Sequence, residues 1–259
     1  MINFFRKTRK KMADDNRPLK YIRYAIGEIL LVVIGILIAL QINNWNEERK
    51  LNVEEQYLLK ELLAEFNTNL EKIKYDQKIN RGCQNACLEI LELINNGSIK
   101  NSRQKLDSLF MGLFLYTSFN ASTGVLNEII SSGKLSVIKD NSLRNMLTQW
   151  PGWIDNQQED IDIRRDQINL HIMPFFVKHV PFKNGDVYLD FTPWSIKYNR
   201  KPLERSKFGH NIEALSSREF EGILYKYTLD QDFLLLNDMK TERFIESVIQ
   251  QIKINIKND

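Results

Sequence analysis

Two cysteines and three histidines are the side chains of this 259-residue chain best suited to nucleophilic, redox or metal chemistry. Cys83 and Cys87 stand four apart, so on a helix they share a face. That geometry is poor for a disulfide, because the Cβ atoms are too far apart without distortion. Two thiols without a nearby His or further Cys make no zinc site. Core thiols, or a bridge between two chains, are the readings that remain. His171, His179 and His210 lie in or beside one aromatic-rich stretch. His171 and His179 are eight apart with Pro174 between them, which is not ligand spacing, and a zinc site there would have to recruit Asp186 or Asp190. No Ser-centred nucleophile elbow, phosphate-binding Gly loop or paired His/carboxylate motif is present. Gln158, Glu159, Asp160 and Asp162 read as a solvated helix face. The expectation is a non-enzymatic protein with no cofactor and no metal.

The elements that carry these residues are legible from composition and charge. Hydrophobic residues make up 43% and charged residues 27%, with only 11 Gly and 6 Pro. That balance supports a buried core and favours helices over a β-sandwich. The net charge of +3 is unevenly placed. Residues 1–23 hold eight basic side chains and two acidic ones, a balance of +6, which leaves −3 for the rest. The basic tail therefore accounts for the pI near 8.7, and nucleic acid is not the expected partner of the main domain.

Residues Tyr24–Ile42 read YAIGEILLVVIGILIALQI, interrupted only by Glu28 and Gln41. A helix over 24–45 spans roughly 30 Å, the thickness of a hydrocarbon core. Tyr21, Tyr24 and Trp45 sit where interfacial aromatic belts lie, and the Lys/Arg excess precedes the span. The pattern predicts a signal-anchor with residues 1–23 cytoplasmic and 46–259 exported. A cleaved signal peptide is disfavoured by large residues at the exit, ALQINNW. Gly27, Leu31, Gly35, Ala39 and Asn43 recur at four-residue spacing. Gly35 and Ala39 form a small-xxx-small pair, a candidate face, with Gly27, for transmembrane helix packing. Glu28 lies about one turn inside the membrane boundary. It either snorkels to the headgroups beside Arg23 or meets a polar contact on a partner helix.

The stretch KYIRYAIGEILLVVIGILIALQINNWNEERK, with the preceding MINFFRKTRKK, resembles the opening of an uncharacterised family of single-pass membrane proteins common in Bacteroidota. ISSGKL and LRNMLTQW, within Phe119–Trp150, are similar to that family as well. The resemblance implies a periplasmic location for the main domain and a helical fold, but no reaction. Asp107-Ser108-Leu109 also resembles the short O-glycosylation signal of that bacterial group.

Beyond the span, Leu59, Leu62, Phe66, Leu70 and Ile73, then Cys83, Cys87, Ile90 and Ile94, predict an amphipathic helix from Asn46 to Asn95, stopped by Asn96-Gly97. Further helices are expected over Arg103–Ser118 and over Ser122–Ser132, the latter with Gly133 as a C-terminal cap. Asn141 is the expected cap of the next helix, kinked or broken at Pro151-Gly152 and resumed to about Ile172. Ser216 and Glu219 have capping-box spacing for a last helix running towards Ile256. Its expected buried stripe is Phe233, Leu236, Met239, Ile245, Ile249, Ile252 and Ile256. First and last helices, both long and one-sided, should pack together. Between Pro174 and Asn211 the periodicity is lost, and four of the six prolines and eight aromatics gather. Val187–Phe191 alternates as a short strand would. This insertion reads as a cap over the bundle or as a binding surface, for which Tyr188, Phe191, Trp194 and Tyr198 are the candidates.

The resulting expectation is all-α: one transmembrane helix continuing into a helical bundle with an irregular Pro/aromatic-rich insertion. The expected partners are the lipid bilayer and either a second copy or another envelope protein. The function expected is that of a membrane-anchored interaction or scaffold protein, with a ligand-sensing module as the alternative.

Overall fold

The apolar run contains no proline and few β-breaking polar groups, and it enters an unbroken helix, α1 (Pro18–Asn95). The computed structural model describes residues 18–189, 201 and 203–257, and side chains from 22 onward apart from 23 and 24. Two compact units result, residues 1–57 and 58–259.

In the first unit the large apolar side chains from Ile26 to Ile42 are 44–70% exposed, and Trp45 is 66% exposed. This is one helix long and apolar enough to cross a membrane.

The second unit is built on three long helices. α1 ends where Gly97 takes a left-handed φ of 67°, a conformation that a Cβ would disfavour. A 3-10 turn follows at Ser98–Asn101, then α2 (Arg103–Phe114) and α3 (Gly124–Ser131). α2 stops four residues before the expected Ser118. Leu115–Thr123 is irregular instead, because α1 supplies side chains that replace its helical hydrogen bonds. Gly133, at φ 71°, closes α3 as expected. After a 3-10 turn at Lys134–Val137 comes α4 (Asn141–Gln167). Its cap is Asp140 rather than Asn141: the Asp140 carboxylate accepts from Leu143 N at 2.8 Å. The same carboxylate accepts from Gln251 and Asn255, an additional tie that Asn141 does not make. Pro151 is accommodated inside α4 without ending it.

The chain continues through a π segment at Ile168–Ile172 into α5 (Met173–His179), with Pro174 in its first turn, where a missing N–H costs little. The insertion is therefore helical at its start, and Phe175 and Phe176 are buried core residues. Phe182–Tyr188 forms 3-10 turns, so the strand expected at Val187–Phe191 is absent over its described residues, and no strand occurs elsewhere among them. A short helix α6 (Ile212–Leu215), capped by Asn211, precedes α7 (Arg218–Asn255). Ser217, not Ser216, caps α7 by accepting from Phe220 N at 3.2 Å. With Ser217 as the cap, Glu219 falls at the second helical position and Phe220 at the third, so no capping box forms.

α1 and α7 do pack together: Gln77 Nε2 donates to Glu242 at 2.7 Å, and Lys74 pairs with Glu246 at 3.5 Å. The pairs 77–242 and 74–246 make these helices antiparallel. Pairs Phe66–Trp150 (5.3 Å between rings) and Asn80–Arg164 (3.1 Å) run α4 parallel to α1. The buried face of α7 is rotated from the expected one. Phe233 is 64% and Leu236 53% exposed, while Gln231, Leu234, Leu235, Asp238 and Thr241 are buried. Ile245, Ile249 and Ile252 are buried as expected.

Two apolar clusters fill the interior. One gathers Phe66, Phe119, Leu147, Trp150, Ile245 and Ile252. The other gathers Cys83, Cys87, Phe110, Phe176, Phe220 and Tyr227. Both cysteines are free and buried there, in the core-thiol state of the two readings open from sequence.

Candidate functional site

Between the clusters the stripe of α1 turns polar. Asp76, Gln77 and Asn80 are buried where heptad-like spacing would place aliphatics. Asn80 meets Arg164 of α4 and Asp238 of α7, and Gln231 and Thr241 of α7 are buried as well.

Arg164 is 0% exposed. Its Nη1 donates to Asn80 Oδ1 at 3.1 Å and its Nη2 to the Thr117 carbonyl at 2.7 Å. The guanidinium carbon stands 4.6 Å from the centre of the Tyr116 ring. Thr117 Oγ1 donates to Asp76 at 2.7 Å, and Thr117 N to Asn80 Oδ1 at 3.3 Å. Asn80 also hydrogen-bonds Asp238. Gln157 Nε2 donates to Thr241 at 2.7 Å. Burial pushes the Asp238 carboxyl up to about 7, with the Asp76 charge adding to the push and the Asn80 hydrogen bond and Arg164 opposing it. Burial likewise raises Asp76 against the Thr117 bond and Arg164.

Asp76, Asn80 and Arg164 of this layer answer to the irregular segment Leu115–Thr123, through Thr117. Most of its residues are partly buried around the buried Phe119, and its peptide groups without helical partners must be paired from elsewhere. Side chains do this. Asn69 donates to the Ser122 carbonyl (2.8 Å) and accepts from Ser122 N (2.6 Å), pairing as a strand neighbour would. Glu65 accepts from Val125 N (2.7 Å) and Leu126 N (3.2 Å), capping α3 from another helix.

A second cluster lies at the returning end of the insertion. Asp107 of α2 is buried, and its Oδ1 meets His210 Nε2 at 2.9 Å. Its Oδ2 accepts from Arg205. Burial holds His210 below its ordinary range, although Asp107 pulls the other way. Leu203 N donates to Asp186 and Ser206 N to Asn184, each at 2.7 Å, so residues 203–210 form a strap pinned at four points. Asp107 is thus engaged in holding this strap, and Asp186 accepts from its backbone at Leu203. His179 faces Asn211, with Nδ1 3.3 Å from its amide nitrogen, and His171 is exposed on the π segment. Among the described residues no three His, Cys, Asp or Glu side chains gather to hold a metal.

Of the candidates named from sequence, Tyr188 lines a shallow groove with Asn101, Ser102, Gln104, Lys105 and Ser108, its hydroxyl 3.5 Å from the Gln104 carbonyl. Phe191, Trp194 and Tyr198 lie outside the described residues. Gly27 and Gly35 have open space where a Cβ would stand, and Ala39 is exposed beside them. Glu28 is partly buried on the same helix. The polar layer was not among those candidates, and of the Asp107 cluster His210 and Asp107 were named only separately, never as a pair. Only the polar run Asp76-Gln77 with Asn80, interrupting an apolar stripe, signalled the former.

Residues 28–151, just under half of the chain, match the model of a family of unknown function (DUF6090). No curated protein and no solved structure matches the chain.

Proposed function

We propose that this chain is a membrane-anchored, non-enzymatic interaction or scaffold protein of the bacterial cell envelope. In this reading residues 24–45 cross the inner membrane once, residues 1–23 face the cytoplasm, and the helical domain stands in the periplasm. The observation that carries it is the exposed apolar surface of α1 between Ile26 and Trp45, which water would not tolerate uncovered. The basic residues before the span support the orientation. The polar groups of the domain support a non-enzymatic role, because Asp76, Asn80, Arg164, Asp107 and His210 are spent on holding backbone or each other.

Crosslinking and mass spectrometry of the tagged full-length protein in its native membrane test this. One dominant partner, or a discrete self-oligomer, is the expected result. A strictly monomeric product, or recovery of the chain in the soluble fraction, would sink the proposal. A second reading, a ligand-sensing module, draws support from the groove beside Tyr188 and the pinned strap at 203–210. Reproducible thermal stabilisation of the full-length chain by one class of small molecule would favour it.

A further inference from the structure

Asp76, Thr117, Arg164, Asn80 and Asp238 form one hydrogen-bonded chain across three helices and a loop. It contains one permanent cation and two carboxyls. Fully ionised, the group carries a net charge of −1 in a layer closed on both sides by apolar clusters. An uncompensated charge in such surroundings is costly, and proteins remove it by binding a proton. The remaining charges that face the layer do not cancel the excess. Asp160 of α4 accepts from Asn237 (2.8 Å), Lys72 of α1 donates to Ser122 (2.8 Å), and Glu242 of α7 is taken by Gln77 and Lys74. They amount to one base against two acids, one of the acids already paired with Lys74. The buried Oδ2 of Asp238 has no partner, and neither does Oε1 of Gln157, whose Nε2 binds Thr241 one turn from Asp238. The buried donors Arg164 Nε and Gln231 Nε2 are unpartnered too, so it is the excess negative charge, not a shortage of donors, that calls for a proton.

We propose that the Asp76–Arg164–Asp238 layer is a proton-binding site: the folded bundle holds one proton on Asp238 and releases it to solvent in alkaline surroundings, weakening the hold on Leu115–Thr123. Burial acts in the same direction on both carboxyls. An unfolded aspartate titrates near ~3.9. Between there and about 7 the folded chain keeps a proton that the unfolded chain has lost, so this site's contribution to stability falls as pH rises through that window. His210 titrates in the opposite sense, and its effect is common to any pair of proteins that differ only at Asp238. The inference is independent of the membrane reading.

The test is thermal unfolding of the full-length chain in detergent, from about pH 5 to about pH 8, for wild type and Asp238→Asn. Asparagine imitates the protonated carboxyl. The variant's unfolding temperature should gain on wild type by roughly 5 °C or more across that range. A difference that does not change with pH overturns the proposal. Infrared spectra of the wild-type chain stand by themselves if the variant does not fold. A protonated-carboxyl stretching band that persists at about pH 6 and vanishes above neutrality upholds the site. No such band at that pH overturns it.

Discussion

Arg164 is a fully buried guanidinium whose hydrogen bonds go to an amide oxygen and a backbone carbonyl rather than to a carboxylate. Such a group is kept for what it holds. Replacing it by leucine would leave the Thr117 carbonyl without this donor and two carboxyls without a cation. Removing one member of a buried charged network costs about 3–5 kcal/mol. Arg164→Leu should lose stability on that scale in urea unfolding, and a loss below about 1 kcal/mol would show that the layer does not depend on it. His210 gives a prediction of opposite pH sign. Its neutral form is favoured by burial, so its contribution is present above about 6.5 and is lost as pH falls towards its lowered folded value. His210→Gln should flatten the acid side of the stability profile. An unchanged acid limb would detach His210 from it.

At the scale of elements, glycines of one residue type predict changes of opposite sign. Gly82 lies exposed inside α1 with open space around it, so Gly82→Ala should stabilise by about 0.5–1 kcal/mol. Gly133 has a left-handed φ of 71° at the end of α3, so Gly133→Ala should destabilise by about 1 kcal/mol. Gly185 packs so closely on Met111 of α2 that a methyl group would displace that side chain, at about 1–3 kcal/mol. Denaturant midpoints of the three variants would order them, and any other order of sign would mean the local backbone differs. Glu65 acts between elements: Glu65→Ala removes a charged cap from α3 and should cost about 1–2 kcal/mol, although no sequence neighbour of α3 is touched.

For the whole molecule, the exposed apolar helix and the bundle make separable demands. The apolar surface of residues 26–45 calls for a lipid or protein cover, while residues 58–259 bury two clusters of their own. Four leucine-to-lysine or isoleucine-to-lysine changes along the span should therefore move the full-length chain out of the membrane fraction. The bundle's unfolding transition, followed by circular dichroism, should survive. Retention in the membrane would sink the anchor reading.

Helix existence, the apolar span and the pairing of first and last helices follow from local pattern, because apolar spacing and charge asymmetry act within a few turns of chain. Cys83 and Cys87 continue the Leu59–Ile73 stripe, but the choice between core thiols and a bridge between chains was open from sequence and the fold places them free in the core. The face of α7 did not follow. Apolar side chains at Phe233 and Leu236 kept the expected stripe in register, whereas Gln231, Asp238 and Thr241 are the residues turned inward. Thr241 is turned towards Gln157 of α4 and Asp238 towards Asn80 of α1, partners that lie on other helices. Asp107 meets His210 across 103 positions, and Glu65 caps a helix 60 positions away. No periodicity encodes such pairs. Local sequence determined which segments coil and which stretch is long and apolar enough to cross a membrane. Only the tertiary structure decided which polar groups share the interior, because that choice is made by backbone groups that have lost their own helix and must be satisfied from elsewhere.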